Sequence, residues 1–346
     1  MHRRGFLSLL PVLAAAPGQA ARGSRGAARP AGARILTVRG PIAPRDLGVT
    51  LMHEHVMVDF AGADKVSRDR YDPEEVFRVA LPHLRAVKEK GCRTLVECTP
   101  AYLARDVALL SRLSEASGLH IVTNTGYYGA ADDKAVPAHA YRETPDQLAA
   151  RWTEEFRGGI EGTGIRPGFL KTGVDRGPLS EIDRKLIVAA ARCHRQTGLR
   201  IGVHTGDGAA ALDILGTLKG EGVAPGAYVW IHAQNETDRG IHVKAAEAGA
   251  WVEFDGVGPN SLDAHMAEVT DMIRRGHLDR LLVSHDAGWY HVGEPGGGNY
   301  RGYTFLFEEF LPALRSRGVT EAQVRALLED NPARALALPA DGGGRV

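Results

Sequence analysis

The chain has 346 residues, 44% of them hydrophobic, and its 42 basic and 42 acidic side chains cancel to a formal net charge of zero. That length accommodates one large α/β barrel or two ordinary domains. A balanced charge without a long basic run argues against nucleic acid as a partner, and no uninterrupted apolar run reaches the ~20 residues of a membrane span.

The chain opens with MHRRGFLSLLPVLAAAPGQA, a basic start followed by a short apolar stretch and small residues suited to cleavage after Ala20. This is the anatomy of an export signal over residues 1–20. Arg3 and Arg4, followed by Gly5, Phe6 and Leu7, resemble a twin-arginine signal, so a periplasmic or secreted location is expected. Residues 21–34 are Ala/Gly/Arg-rich and read as a disordered tether. Residues 35–340 are then expected to form a single catalytic domain.

In that domain short β-branched runs alternate with amphipathic stretches of helical length. The predicted strands are 50–56 (TLMHEHV), 93–99 (RTLVECT), 120–126 (HIVTNTG), 168–174 (GFLKTGV), 200–206 (RIGVHTG), 228–233 (YVWIHA), 251–257 (WVEFDGV) and 280–286 (RLLVSHD). Between them lie helical patterns such as DPEEVFRVALPHLRAVKEKG, SEIDRKLIVAAARCHRQTG and ETDRGIHVKAAEAG, several with an acidic first turn and a terminal glycine. Eight strand–helix units imply a parallel sheet closed into a (β/α)₈ TIM barrel. Cys92 and Cys98 flank one predicted strand, about 20 Å apart, beyond the ~7 Å reach of a disulfide. They and Cys193 are expected as buried thiols.

Within TLMHEHV, His53 and His55 share one face of a strand and Glu54 faces the other way. A lone buried histidine is usually a packing residue, but two on one face approach half a metal site. Lys171, His204, His232 and Asp286 likewise fall late in their predicted strands, and in a barrel those ends face the mouth where active sites are built. A buried lysine among cations loses its proton readily, and the neutral amine can add carbon dioxide to give an anionic carbamate able to bridge two ions. The plain alternative is a Lys171–Asp286 ion pair in a polar core of hydrogen-bonded histidines.

The segments LTVRGPIAPRDLGVTLMHEHV, GIEGTGIRPGFLKTGVD, VHTG, WIHAQNETD, VSHD and DNPARALAL together resemble the phosphotriesterase family of the amidohydrolase superfamily, which includes phosphotriesterase-like lactonases. The resemblance implies a binuclear centre. One metal would be held by His53, His55 and Asp286, the other by His204 and His232, and both by carboxylated Lys171 and a bridging hydroxide. Zinc is the first expectation; manganese, cobalt and iron suit the same ligands. The implied activity is hydrolysis of an ester or lactone of a small molecule, with phosphotriester hydrolysis as the alternative and an inert binding barrel as the rival from another class. Asp286 is the expected proton acceptor, and Tyr128 aligns with a tyrosine that lactonases of this family carry near the metals.

Two departures stand out. Gly256 follows Asp255 where family members often carry a basic residue, and Gln234, Asn235 and Glu236 replace a more acidic pattern. The glycine-rich, aromatic stretch 288–302 suits a mobile substrate loop bearing Trp289, His291 and Arg301. His285 is expected to point away from the centre. A homodimer is compatible with the chain.

Overall fold

The computed structural model describes residues 32–339. The export signal, and the expected tether up to residue 31, lie outside the described residues.

Eight barrel strands follow in chain order: β1 (Thr50–Val58), β2 (Thr94–Glu97), β3 in two pieces (His120–Val122 and Asn124–Thr125), β4 (Phe169–Val174), β5 (Ile201–Thr205), β6 (Tyr228–Ile231), β7 (Trp251–Phe254) and β8, also in two pieces (Leu281–Val283 and Gly288–His291). One arc runs from the second piece of β3 to the first piece of β8; the other joins the second piece of β8 to β1, β2 and the first piece of β3. Every pairing within the two arcs is parallel. Helices cover the outside, so strands bury both faces, and all nine residues of β1 are buried.

The barrel floor is apolar. Met52, Val96, Val122, Phe169, Ile231 and Trp251, from six different strands, belong to one buried cluster. The helices form as their sequences dictate. Pro73–Glu89 begins at the Asp72 cap and buries Val76, Ala80, Leu84 and Val87 on one face. Burying each valine or leucine side chain of this kind contributes roughly 1.5–3 kcal/mol. Glu181–Thr197 is capped by Ser180 and stops at Gly198, whose φ of 76° is left-handed.

Three expectations need correction. β6 ends at Ile231, one residue before His232, and β8 breaks after Val283, so Asp286 lies between its pieces. The stretch expected as a mobile loop begins as barrel: Gly288, Tyr290 and His291 register with His55, Met57 and Val58 of β1. Gly288 and Arg301 also exchange backbone hydrogen bonds of 2.9 and 2.8 Å. Trp289, Tyr290 and His291 meet the free edge of β1, and pairing outweighs the glycine-rich composition that follows. All three cysteines are buried and free.

Candidate metal centre

The hydrogen bonds fix the tautomers of the β1 histidines. His53 Nδ1 lies 3.0 Å from Asp255 Oδ2. His55 Nδ1 lies 2.8 Å from Thr99 Oγ1, whose hydroxyl is already donated to the Met57 carbonyl at 3.0 Å. Carboxylate and committed hydroxyl both accept, so each ring carries its proton on Nδ1 and a lone pair on Nε2. The two Nε2 atoms are 3.2 Å apart. Asp286 Oδ1 lies 3.2 Å from His55 Nε2 and 3.7 Å from His53 Nε2, and no donor reaches it. Three lone pairs facing one another without a proton repel unless a cation lies among them. This donor set fits a divalent metal.

A second set adjoins it. His232 Nδ1 donates to Asp255 Oδ1 at 2.6 Å, which leaves its Nε2 free. The His232 ring centroid is 4.4 Å from that of His204 and 4.9 Å from that of His53. Tyr128 Oη lies 3.0 Å from His204 Nδ1. Lys171 is buried, and its charge acts on His53, His204 and His232, so it belongs to the same cluster. Asp286 faces the histidines of β1 and not Lys171, so the plain ion-pair alternative is not what the carboxylate makes. Asp255 ties the two sets together, also accepting from His232 N at 3.1 Å and Gln234 Nε2 at 2.7 Å.

Burial, then the charge of Lys171, lowers the His53 pKa to about 4 despite Asp255. Burial and the neighbouring His232 and Lys171 hold His204 well below the ordinary range. His232 ends above its ordinary value: burial presses it down, but the Asp255 carboxylate outweighs that. Burial alone would raise Asp286; protonated forms of His55, His53 and His232, the first by donating to it, would hold it below the usual carboxylate range. His53, His204 and Asp286 are thus in the ligand-competent form at neutral pH. Tyr128 is pushed up by burial, Asp286 and Asp175, so its phenol stays a donor.

The turns beyond the strands complete the geometry. His232, Asp286 and Trp289 have φ of 61°, 54° and 74°, a left-handed conformation that costs non-glycine residues energy and concentrates at functional sites. Gly288 has φ of 92°, and a Cβ there would fall 1.8 Å from the His55 carbonyl. Trp289 lays its ring 4.9 Å from His55 and donates Nε1 to the Asp286 carbonyl at 2.9 Å. Arg301 bonds the same carbonyl and its guanidinium lies 5.6 Å from the Trp289 ring, whereas His291 sits farther out, 6.1 Å from Phe60. Phe60, Leu103, Tyr128, Ala130, Ala131 and Ala135 line a small, mainly apolar cleft of about 30 Å³ beside the centre. A larger cavity of about 530 Å³, with Arg105 and Arg151 in its wall, includes none of the metal-site residues; those arginines are committed to Glu155 and Glu143.

The clamp made by Asp255, the acceptor Thr99 and the aromatic Phe60 escape a reading by strand ends. Gly256 holds a partial signal, because a Cβ there would lie 2.9 Å from Gln234 Nε2 and 3.2 Å from the His265 ring. Gln234 and His265 thus occupy the space that a side chain at position 256 would need.

A parallel eight-stranded barrel with imidazoles and a carboxylate converging at the carboxyl ends of its strands is the architecture of a metal-dependent hydrolase. The phosphotriesterase family model matches residues 33–336, and the chain belongs to that family. It is 29% identical over 292 residues to the phosphotriesterase homology protein of Escherichia coli K12, covering 83% of this chain and 97% of that one. It is 26% identical to an aryldialkylphosphatase of Saccharolobus solfataricus, covering 86% and 96% of the two chains. A variant of a Deinococcus radiodurans PTE-like lactonase superposes with a TM-score of 0.78 at 30% identity, over 87% of this chain and 99% of that one. The chain is a hydrolase of this family, acting on small molecules. No helix among the described residues is long and apolar enough to cross a membrane.

Proposed function

We propose that the chain is a binuclear hydrolase of carboxylic esters or lactones. The observation that carries this reading is the convergence of His53 Nε2, His55 Nε2 and Asp286 Oδ1 with no proton among them. His53, His55 and Asp286 would hold one divalent cation, His204 and His232 the other, and Lys171, as a carbamate, both. Such cations, zinc first among them, activate water at neutral pH and polarise the bond to be broken.

The chain's own residues do the rest. Asp286, an anion throughout the working range, is placed to take the proton of the attacking water. Tyr128, a protonated phenol, donates to the substrate oxygen beside His204. The cleft between Phe60 and Tyr128 has room for no more than a small apolar group, and Trp289 shields the His55 side from solvent. The lactone preference is supported by Tyr128 and by the likeness to a PTE-like lactonase. Phosphotriesters are the second reading, favoured by the aryldialkylphosphatase relative. Export to the periplasm through residues 1–20 is part of the proposal and rests on the Arg3-Arg4 segment.

The test is a panel of lactones, aryl esters and phosphotriesters against protein stripped of metal and reconstituted with zinc, manganese, cobalt or iron in bicarbonate. Turnover of lactones above phosphotriesters, dependent on metal, is expected. Undiminished turnover by the stripped protein would overturn the reading.

A further inference from the structure

The outer face of the barrel seam carries a carboxylate that the chemistry above does not use. Glu54 lies between His53 and His55 in sequence, points away from the centre and is fully buried. Its Oε1 accepts from Ser284 Oγ at 2.8 Å, from His285 N at 3.1 Å and from His285 Nδ1 at 2.6 Å, and its Oε2 accepts from Ala287 N at 2.8 Å. Donors from both sides of Asp286 therefore end on one side chain. His285 Nε2 in turn accepts from Leu306 N at 2.8 Å, so the ring is neutral, protonated on Nδ1 and held at both ends. Ser284 Oγ, while donating to Glu54, accepts from His53 N at 2.9 Å. Asp286 donates its own N–H to the His53 carbonyl at 3.0 Å.

Between these anchors the backbone of Asp286 adopts a φ of 54°, a conformation a non-glycine residue keeps only when its surroundings over-determine it. The turn is what brings Oδ1 to face both β1 histidines. We propose that Glu54 and His285 are positioning residues for Asp286: a hydrogen-bonded clamp on the outer face sets the affinity of the cation site on the inner face. This rests on the reading of His53, His55 and Asp286 as ligands. Burial of a carboxylate with four donors is also what a plain strand brace would show, so the readout must be the metal.

The experiment titrates stripped full-length protein with cobalt(II) against a competing chelator, following absorbance and metal per chain, and records the melting temperature of the metal-free form. Glu54→Gln opposes an amide NH₂ to at least one backbone or imidazole donor. It should weaken the site of His53, His55 and Asp286 by roughly 10–100-fold, the usual effect of an outer-shell change, while the site of His204 and His232 still fills. His285→Gln keeps one donor and one acceptor and should retain most of the affinity; His285→Leu, which has neither, should lose it. If Glu54→Gln and His285→Leu melted lower but bound both metals with parent affinity, the pair would be a strand brace and the proposal would fall. If the parent itself bound no cobalt, the ligand reading would fall and take the clamp with it.

Discussion

Asp255→Asn is the most informative single substitution at this centre. The carboxylate accepts four hydrogen bonds, two per oxygen: Oδ2 from His53 Nδ1 and His232 N, Oδ1 from His232 Nδ1 and Gln234 Nε2. An asparagine has one oxygen, so in either orientation two donors face an NH₂. The side chain is fully buried, and water has no access to repair the mismatch. Relief comes when an imidazole moves its proton to Nε2, which replaces a ligand lone pair with an N–H. Because Asp255 serves His53 in one set and His232 in the other, the loss is shared between the two metals. Outer-shell changes of this kind cost about 10–100-fold in metal affinity, or about 1.4–2.7 kcal/mol. Metal per chain by mass spectrometry, after dialysis at graded chelator concentrations, should show fewer than two metals where the parent keeps both. Two metals held at parent affinity would refute the tautomer argument.

Other outcomes follow from the same structure. Metal-stripped parent should need bicarbonate as well as metal to regain full activity, and Lys171→Met should bind metal poorly while Lys171→Glu, which restores two oxygens, keeps some; parent-level turnover by Lys171→Met would make the lysine a packing residue. Tyr128→Phe removes one donor to the substrate oxygen and should lower kcat/KM for lactones by roughly 10²-fold, measured at saturating metal because the same hydroxyl also partners His204 Nδ1. Glu268, whose Oε2 has no partner, is pushed up to about 7 by burial. A raised carboxyl supports the fold at low pH and loses that support as pH rises through about 7. Melting curves of Glu268→Gln should therefore lie above the parent at pH 8 and converge with it only below about pH 4.5, the carboxyl's ordinary value. Replacing Arg3 and Arg4 by lysine should block export, read as retention of the uncleaved chain in the cytoplasm.

The eight strands were legible because parallel barrel strands are short β-branched runs between helices with recognisable caps, such as Asp72 and Ser180. His53 and His55 were legible because strand alternation puts them on one face. Alternation does not reach His232 and Asp286, which lie in left-handed turns beyond regular strands; their side were readable, their backbone was not. Composition misled at 288–291, where the glycines after Tyr290 suggested a loop although the segment pairs with β1. Asp255 was visible as a residue but not as a clamp, because its partners at 53 and 232 come from distant strands. Phe60, one residue past Asp59 at the exit of β1, carries no local pattern; only the folded chain brings it 5.6 Å from Trp289.

The seam between β1 and the divided β8 joins residues about 230 positions apart in the chain. On the proposed reading, a cation held by His53 and His55 on one side and Asp286 on the other would act there as a cross-link, closing nearly the whole barrel into one loop. Cross-links across long loops remove the most freedom from an unfolded chain. Ions held at the seam would therefore tie the barrel shut as well as serve its chemistry, and withdrawing them should open the protein where its two ends meet.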